Sequence, residues 1–264
     1  MKKLDLIFLP KPSGLYNTGS ICYFNSLLQV LLSCTSLYDW KNKKQSDLGN
    51  EFRRLFVSDL DPNLSSKILK KIPKFGNGQE SASEALTLLL NNINDPELNN
   101  MFTHRFRYHT ICLNCNYKTE ELSDTSILLE LFDVTTITPE IILYHTDTLY
   151  DYTCDKCKKK GIIRKSRLTM LPEIIVCLFN VYYKKIKHNF PELLIFPGYN
   201  NKLQYNVVGQ IEHSGSLHGG HYWSRALREN GLVYLFNDYS YNKSLFEPTE
   251  NTYMVIYHLA SIIT

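Results

Sequence analysis

Between Gly14 and Leu31 the chain passes from a glycine-punctuated extended segment, Gly14-Leu15-Tyr16-Asn17-Thr18-Gly19-Ser20-Ile21, into apolar residues at Phe24, Leu27, Leu28 and Leu31. That i, i+3, i+4, i+7 spacing is one stripe of a helix packed on a core. Cys22 falls in its first turn. There the free N–H groups and the positive end of the helix dipole favour thiolate over thiol, so the segment predicts a nucleophilic sulfur held at a helix tip.

At 264 residues the chain is long for one domain but within reach of a single unit with an insertion, and it has enough apolar surface for a large core. The net charge is +3, with short basic runs at Lys41-Asn42-Lys43-Lys44 and Lys156-Cys157-Lys158-Lys159-Lys160. Runs of this kind read as solvated faces, and the near-balanced total argues against a nucleic-acid partner. Lys2-Lys3 is followed by too few apolar residues for a signal segment, and no stretch reaches membrane-spanning length. The expectation is an intracellular, cytoplasmic or nuclear protein with no membrane partner, acting as a monomer.

Periodicity divides the chain. The first half predicts helices from Cys22 to about Cys34, near Leu48 to Leu60, near Leu64 to Ile72, and from about Ser81 to Ile93, with Gly76-Asn77-Gly78 as a turn. In the second half Ile174 to Tyr183, Leu203 to Ile211, His221 to Ala226, Leu232 to Phe236 and Tyr253 to Leu259 are short β-branched or aromatic runs separated by Pro, Gly and Asn, as strands are. Helices followed by strands predict an α+β fold in which a helix-borne cysteine faces a base on a strand.

Four of the seven cysteines form two C-x-x-C pairs, Cys112/Cys115 and Cys154/Cys157. Four thiolates suit a closed, tetrahedral, structural Zn²⁺ site with no position open for chemistry. The gap between the pairs is longer than in a compact zinc ribbon. Cys34 and Cys177, in apolar surroundings, read as core residues.

The Gly14–Gln29 segment resembles the cysteine box of the ubiquitin-specific protease family, G-L-x-N-x-G-x-x-C-Y-x-N-S-x-L-Q: Gly14, Leu15, Asn17, Gly19, Cys22, Tyr23, Asn25, Ser26, Leu27 or Leu28, and Gln29 match. Ile211 to Trp223 resembles the family's histidine box with its G-G-H-Y core, here Gly219, Gly220, His221 and Tyr222. Leu235-Phe236-Asn237-Asp238 resembles its F-N-D segment. The resemblance covers about Pro12 to Leu259. It implies a papain-like fold with a helical thumb (about 12–100), a zinc-bearing β fingers insertion (about 101–170) and a sheeted palm, together one catalytic domain over 1–264.

By that resemblance Cys22 is the nucleophile, His221 the general base and Asn237 the residue that orients it, with Asp238 as the alternative. Asn17 and the Cys22 N–H would form the oxyanion hole. The two glycines before His221 leave room for a substrate backbone. His213 and His218 would be bystanders on the neighbouring loop, and His104, His109, His145, His188 and His258 ordinary histidines. The substrate would be ubiquitin on ubiquitinated proteins.

Gln79-Glu80-Ser81-Ala82-Ser83-Glu84-Ala85-Leu86 resembles the segment that holds the arginine-containing ubiquitin tail. Gln79, Glu80 and Glu84 are the candidate contacts, although Ser81 stands where the family has aspartate. Ser81-x-x-Glu84 also reads as a capping box opening an amphipathic helix. Other departures are Asn180-Val181-Tyr182 in place of a basic pair and phenylalanine, and Tyr234 in place of tryptophan. They leave as a second expectation a weakly active or inactive module that binds ubiquitin or a ubiquitin-like protein. A zinc-ribbon nucleic-acid binder is the third, disfavoured by charge and knuckle spacing.

Overall fold

The computed structural model describes residues 9–40, 46–57, 59–73, 80–131, 134–179, 181–182, 185–198, 201–216 and 219–263. Six helices come first: α1 Cys22–Leu31, α2 Ser36–Trp40, α3 Asp47–Arg53 continued by a 3₁₀ turn Arg54–Phe56, α4 Leu64–Leu69, α5 Ala82–Ile93 and α6 Pro96–Phe102. Strands follow: β1 His104–Cys112, β2 Leu122–Ser126, β3 Leu129–Glu130, then α7 Pro139–Leu143, β4 Tyr144–Thr153, β5 Lys160–Met170, β6 Ile174–Leu178, β7 Leu193–Pro197, β8 Lys202–Ser216, β9 Gly219–Leu227, β10 Val233–Asn237, β11 Ser240–Ser244 and β12 Thr252–Ile263.

Two sheets result. β2-β1-β5-β4 forms a four-stranded antiparallel sheet, and β11-β10-β9-β8-β12-β6-β3, with β7 on β8, forms an eight-stranded one. The large sheet is buried on both faces, which is why its central strands read as unbroken apolar runs. Ile174, Val176, Met254 and Ile256 join the core shared with the helices, while Ile175, Cys177, Val255 and Tyr257 enter a second core behind the sheet. Cys34 and Cys177 are fully buried, as the sequence implies.

All ten residues of α1 are buried. Its stripe packs on β9, β8 and β10, and its other side on α5 and α4. At Gly209 on β8 a Cβ would sit 2.0 Å from Val30 Cγ1, so only glycine allows that approach. Tight interiors of this kind make large-to-small changes costly, about 2–5 kcal/mol for Leu→Ala at Leu27, Leu28 or Leu31.

Several boundaries differ from expectation. The first helix ends at Leu31, the second is broken into helix and 3₁₀ turn, and the strand expected to reach Tyr183 stops at Leu178. The expected Gly76-Asn77-Gly78 turn lies outside the described residues. Within the stretch expected to form the insertion, β3 pairs in parallel with β6 of the large sheet.

Candidate active site

Helix α1 and strands β9 and β10 converge on Cys22. Cys22 is 3% exposed, and the backbone N–H groups of Tyr222, Tyr23 and Cys22 face its sulfur. Burial nevertheless pushes the thiol above its ordinary pKa, and the negative charge of Asp238 adds to the rise. The expected effect of the helix tip is therefore outweighed: desolvation penalises the thiolate more than three N–H groups stabilise it.

That sign gives a direct prediction. Alkylation of Cys22 by iodoacetamide, followed by mass spectrometry, should rise about tenfold per pH unit through pH 8 and beyond, because the thiolate fraction grows that way below the pKa. A plateau reached below pH 7 would mean a preformed thiolate instead.

His221 sits on β9 beside Tyr222, and its Nε2 lies 2.7 Å from Asn237 Oδ1 at the end of β10. An amide oxygen only accepts, so Nε2 carries the proton and Nδ1 is the free base. Burial lowers the pKa of nearby His213 to about 4. It is no loop bystander: it is buried in β8, its ring 4.4 Å from that of Tyr222 and 5.1 Å from that of Tyr182. His218 lies outside the described residues.

Asp238 ties the site together. Its carboxylate accepts the side-chain amides of Asn17 (3.0 Å) and Asn25 (2.8 Å), and its carbonyl accepts the Leu15 N–H (3.0 Å). Asn17 Oδ1 in turn accepts the N–H groups of Gly19 (3.1 Å) and Ile21 (3.2 Å), so the amide is fixed at both ends just before the helix. Close docking of the two loops requires Gly14, where a Cβ would meet Tyr239 O at 2.0 Å, and is sealed by Tyr16 stacked on Tyr239 at 4.5 Å. Asp238 itself adopts a left-handed φ of 51°, a conformation that Asp and Asn tolerate. Asn25 was legible only as a matched motif position; its link to Asp238 had no signal in the sequence.

One substrate-contact expectation changes. The Tyr222 ring is buried and its hydroxyl bonds that of Tyr182 at 2.5 Å, so only its backbone faces the reaction. At Gly220 a Cβ would lie 2.3 Å from His213 Nε2, so this glycine also makes room for an internal ring. Its neighbour Gly219 opens β9, opposite Ser216. At the mouth of α5, Ser81 Oγ accepts the Glu84 N–H at 3.1 Å, which realises the cap. Glu84 is exposed and Glu80 half-buried, and the charges of both reach the Tyr23 hydroxyl. Gln79 lies outside the described residues.

The four knuckle cysteines come together at the far end of the small sheet. Cys112/Cys115 follow β1 and Cys154/Cys157 precede β5, its neighbour, so adjacent strands bring the distant pairs into contact. Their sulfurs all lie within 4.8 Å of one another, with Cys112–Cys157 at 3.6 Å and Cys115–Cys154 at 3.8 Å. Tetrahedral Zn–S bonds of about 2.3 Å place sulfurs about 3.8 Å apart, so the cluster fits zinc. Each knuckle turns on a left-handed residue, Asn116 (φ 56°) or Lys158 (φ 60°).

A buried cysteine on a helix, a histidine on a facing strand and an amide behind it are set on an α+β frame of the papain-like kind. The chain belongs to the ubiquitin carboxyl-terminal hydrolase family, whose profile matches residues 13–257, and within it to the ubiquitin-specific proteases. Ubiquitin carboxyl-terminal hydrolase 36 of Drosophila willistoni is 24% identical over 94% of this chain, and ubiquitin carboxyl-terminal hydrolase 2 of Bos taurus 23% identical over 94%. The chain spans 24% of the length of the first and 55% of the second.

In fold it is similar to the SAGA DUB module Ubp8/Sgf11/Sus1/Sgf73 bound to monoubiquitin, with a TM-score of 0.70, 18% identity, and coverage of 99% of this chain and 71% of that one. A second structure of the Ubp8-Sgf11-Sgf73-Sus1 SAGA DUB module gives 0.67 at 17% identity, covering 95% and 68%. Among the described residues no helix is long and apolar enough to cross a membrane.

Proposed function

We propose that the protein is a deubiquitinating thiol isopeptidase that cleaves after the C-terminal glycine of ubiquitin, acting as a single catalytic domain and as a monomer. The observation that carries this reading is the 2.7 Å His221–Asn237 bond, which leaves Nδ1 free on the strand whose next residue, Tyr222, presents its N–H to the Cys22 sulfur. His221 Nδ1 takes the thiol proton as sulfur attacks the glycine carbonyl. Because burial holds the sulfur protonated at rest, transfer and attack are coupled.

The tetrahedral oxyanion is held by the Cys22 N–H and by the Asn17 amide N–H that Asp238 does not use. Protonated His221 then gives its proton to the leaving lysine amine, and the C–N bond breaks. Water, deprotonated by the same nitrogen, cleaves the thioester and returns the thiol. The zinc cluster, far along the small sheet, supplies shape and no chemistry.

Hydrolysis of a fluorogenic ubiquitin C-terminal amide tests the proposal: turnover by the intact protein, none by Cys22→Ala, and retained ubiquitin binding by that variant. No turnover by the intact protein would refute it. Burial of Cys22 favours, as a second reading, a feeble enzyme that works by holding ubiquitin; tight binding with negligible turnover would select it.

Glu84, exposed on the first turn of α5, is the proposed partner for a guanidinium of the ubiquitin tail, with Glu80 beside it. Because the cap uses Ser81 Oγ and the Glu84 backbone, Glu84→Gln should leave the unfolding midpoint unchanged and raise KM several-fold. A lowered midpoint with unchanged KM would assign Glu84 to the helix alone.

A further inference from the structure

The small sheet segregates charge between its faces. On β1, Arg105, Arg107 and His109 share one face, and across the ladder Arg107 stands directly opposite Arg167 and His109 opposite Lys165. Lys118, paired with Ile111, adds another cation. The other face carries Phe106, Tyr108 and Leu168, and its Arg164 is neutralised by Asp147 at 2.7 Å. Among the described residues Arg107 bonds Glu121 at 3.3 Å, and no ion pair reaches Arg105, Lys118, Lys165 or Arg167.

Like charges set directly opposite each other destabilise a ladder. A fold that sets Arg107 against Arg167 and adds Arg105, Lys118 and Lys165 on the same face, with Glu121 paired to Arg107, is built to receive negative charge. The positive field of Lys118 and Lys165 adds to desolvation in holding His109 below its ordinary pKa. Along the same face β4 places Tyr144, Thr146 and Thr148, and β2 places Ser123 and Thr125, nearly all exposed. Guanidinium forks, hydroxyls and an aromatic ring on a flat sheet suit phosphates and unstacked bases.

From this we infer that the outer face of the small sheet binds single-stranded nucleic acid. The near-balanced total charge of +3 conceals it, because among the described residues Glu121 alone forms an ion pair with the cations of this face. The test is fluorescence anisotropy of a short labelled oligouridylate. Binding should weaken about 50-fold between 50 and 200 mM salt for four phosphate contacts, and the double variant Arg107→Thr, Arg167→Thr should bind at least tenfold more weakly. The same variant should keep its ubiquitin turnover and an unfolding midpoint no lower than the parent.

Absent binding at low salt would overturn the inference. So would equal competition by polyglutamate, which would make the partner an acidic protein, or a raised KM for ubiquitin in the double variant, which would assign the face to ubiquitin.

On the large sheet a different device flanks the catalytic pair. The Trp223 ring stacks beside His221, centroids 6.2 Å apart and 25° between planes, and lies one step beyond the Ser224–Phe236 pair, across from Asn237. Its indole N–H donates to Glu212 Oε2 at 2.7 Å. That carboxylate, 1% exposed, is also held by Arg225 and by Thr249 Oγ1 at 2.7 Å. The geometry assigns Trp223 the role of a positioning residue that backs the His221 ring and keeps it aligned on Asn237, with Glu212 fixing the indole in place.

Trp223→Ala should lower kcat about tenfold with KM within twofold. Trp223→Phe, which keeps a ring beside His221, and Glu212→Gln, which keeps an acceptor for the indole, should each retain most of the parent kcat. Unchanged kcat in Trp223→Ala, or a change confined to KM, would overturn the assignment.

Discussion

Asp238→Asn is expected to lower turnover by about 10²–10³, the cost of one oxyanion donor, and by more than Asn237→Ala. The substitution keeps the shape and the left-handed backbone at this position, and it leaves the Leu15 N–H bond to the residue 238 carbonyl intact. It replaces one carboxylate oxygen with an N–H, however, and both oxygens are in use, one by Asn17 and one by Asn25. Whichever way the amide turns, a donor faces a donor. Asn25 is left with only two long bonds from its amide, to the Leu15 and Tyr16 carbonyls at 3.4 Å, so the lost bond costs about 1 kcal/mol, and Asn17 loses the contact that aims it. Steady-state kinetics with an unfolding midpoint for the same variant check this. Turnover within threefold of the parent would show that Asn17 needs no such support.

Removal of zinc is expected to have the second large effect, and in a different place. Closing the four-sulfur site contributes on the order of 10 kcal/mol to local folding, while β4 is largely exposed and β1 and β5 are mostly half-buried or exposed. Chelation or Cys154→Ser should abolish amide-exchange protection in β1 and β5 and leave α1, β8 and β12 protected. KM should rise while kcat changes little, since the proposed catalytic residues sit on α1 and on the other sheet. Loss of protection in α1 as well, or no zinc bound by the parent protein, would contradict this.

Much of the site was legible because a few residues carry most of its chemistry. Cys22 at the start of a helical stripe, His221 after two glycines and the Asn237-Asp238 turn are local patterns, and they were found where the structure places them. Asp238 acts over a distance that no pattern spans: Asn17 and Asn25 lie 221 and 213 residues away along the chain. Trp223 and Glu212 likewise meet through strand register.

The state of the sulfur was misread for a physical reason. A helix tip is visible in a sequence, but the depth at which it is buried is not. Some missed elements did carry a signal. Asp95-Pro96 caps α6 and Thr138-Pro139 caps α7, each a cap residue followed by Pro at the first helical position, but these helices are too short for periodicity to register. The strands of the small sheet escaped because neither face is a continuous core, so apolar alternation is faint. Its charged alternation was present all along in Arg105, Arg107, Lys165 and Arg167.

The claim that Cys22 and His221 act as one unit is tested most directly with ubiquitin bearing a C-terminal electrophile. The account predicts a single adduct, mapped to the peptide containing Cys22, whose rate of formation falls by about 10² or more in His221→Ala, as loss of a general base requires. An adduct on another cysteine, or capture at Cys22 that proceeds equally fast without the imidazole, would contradict it.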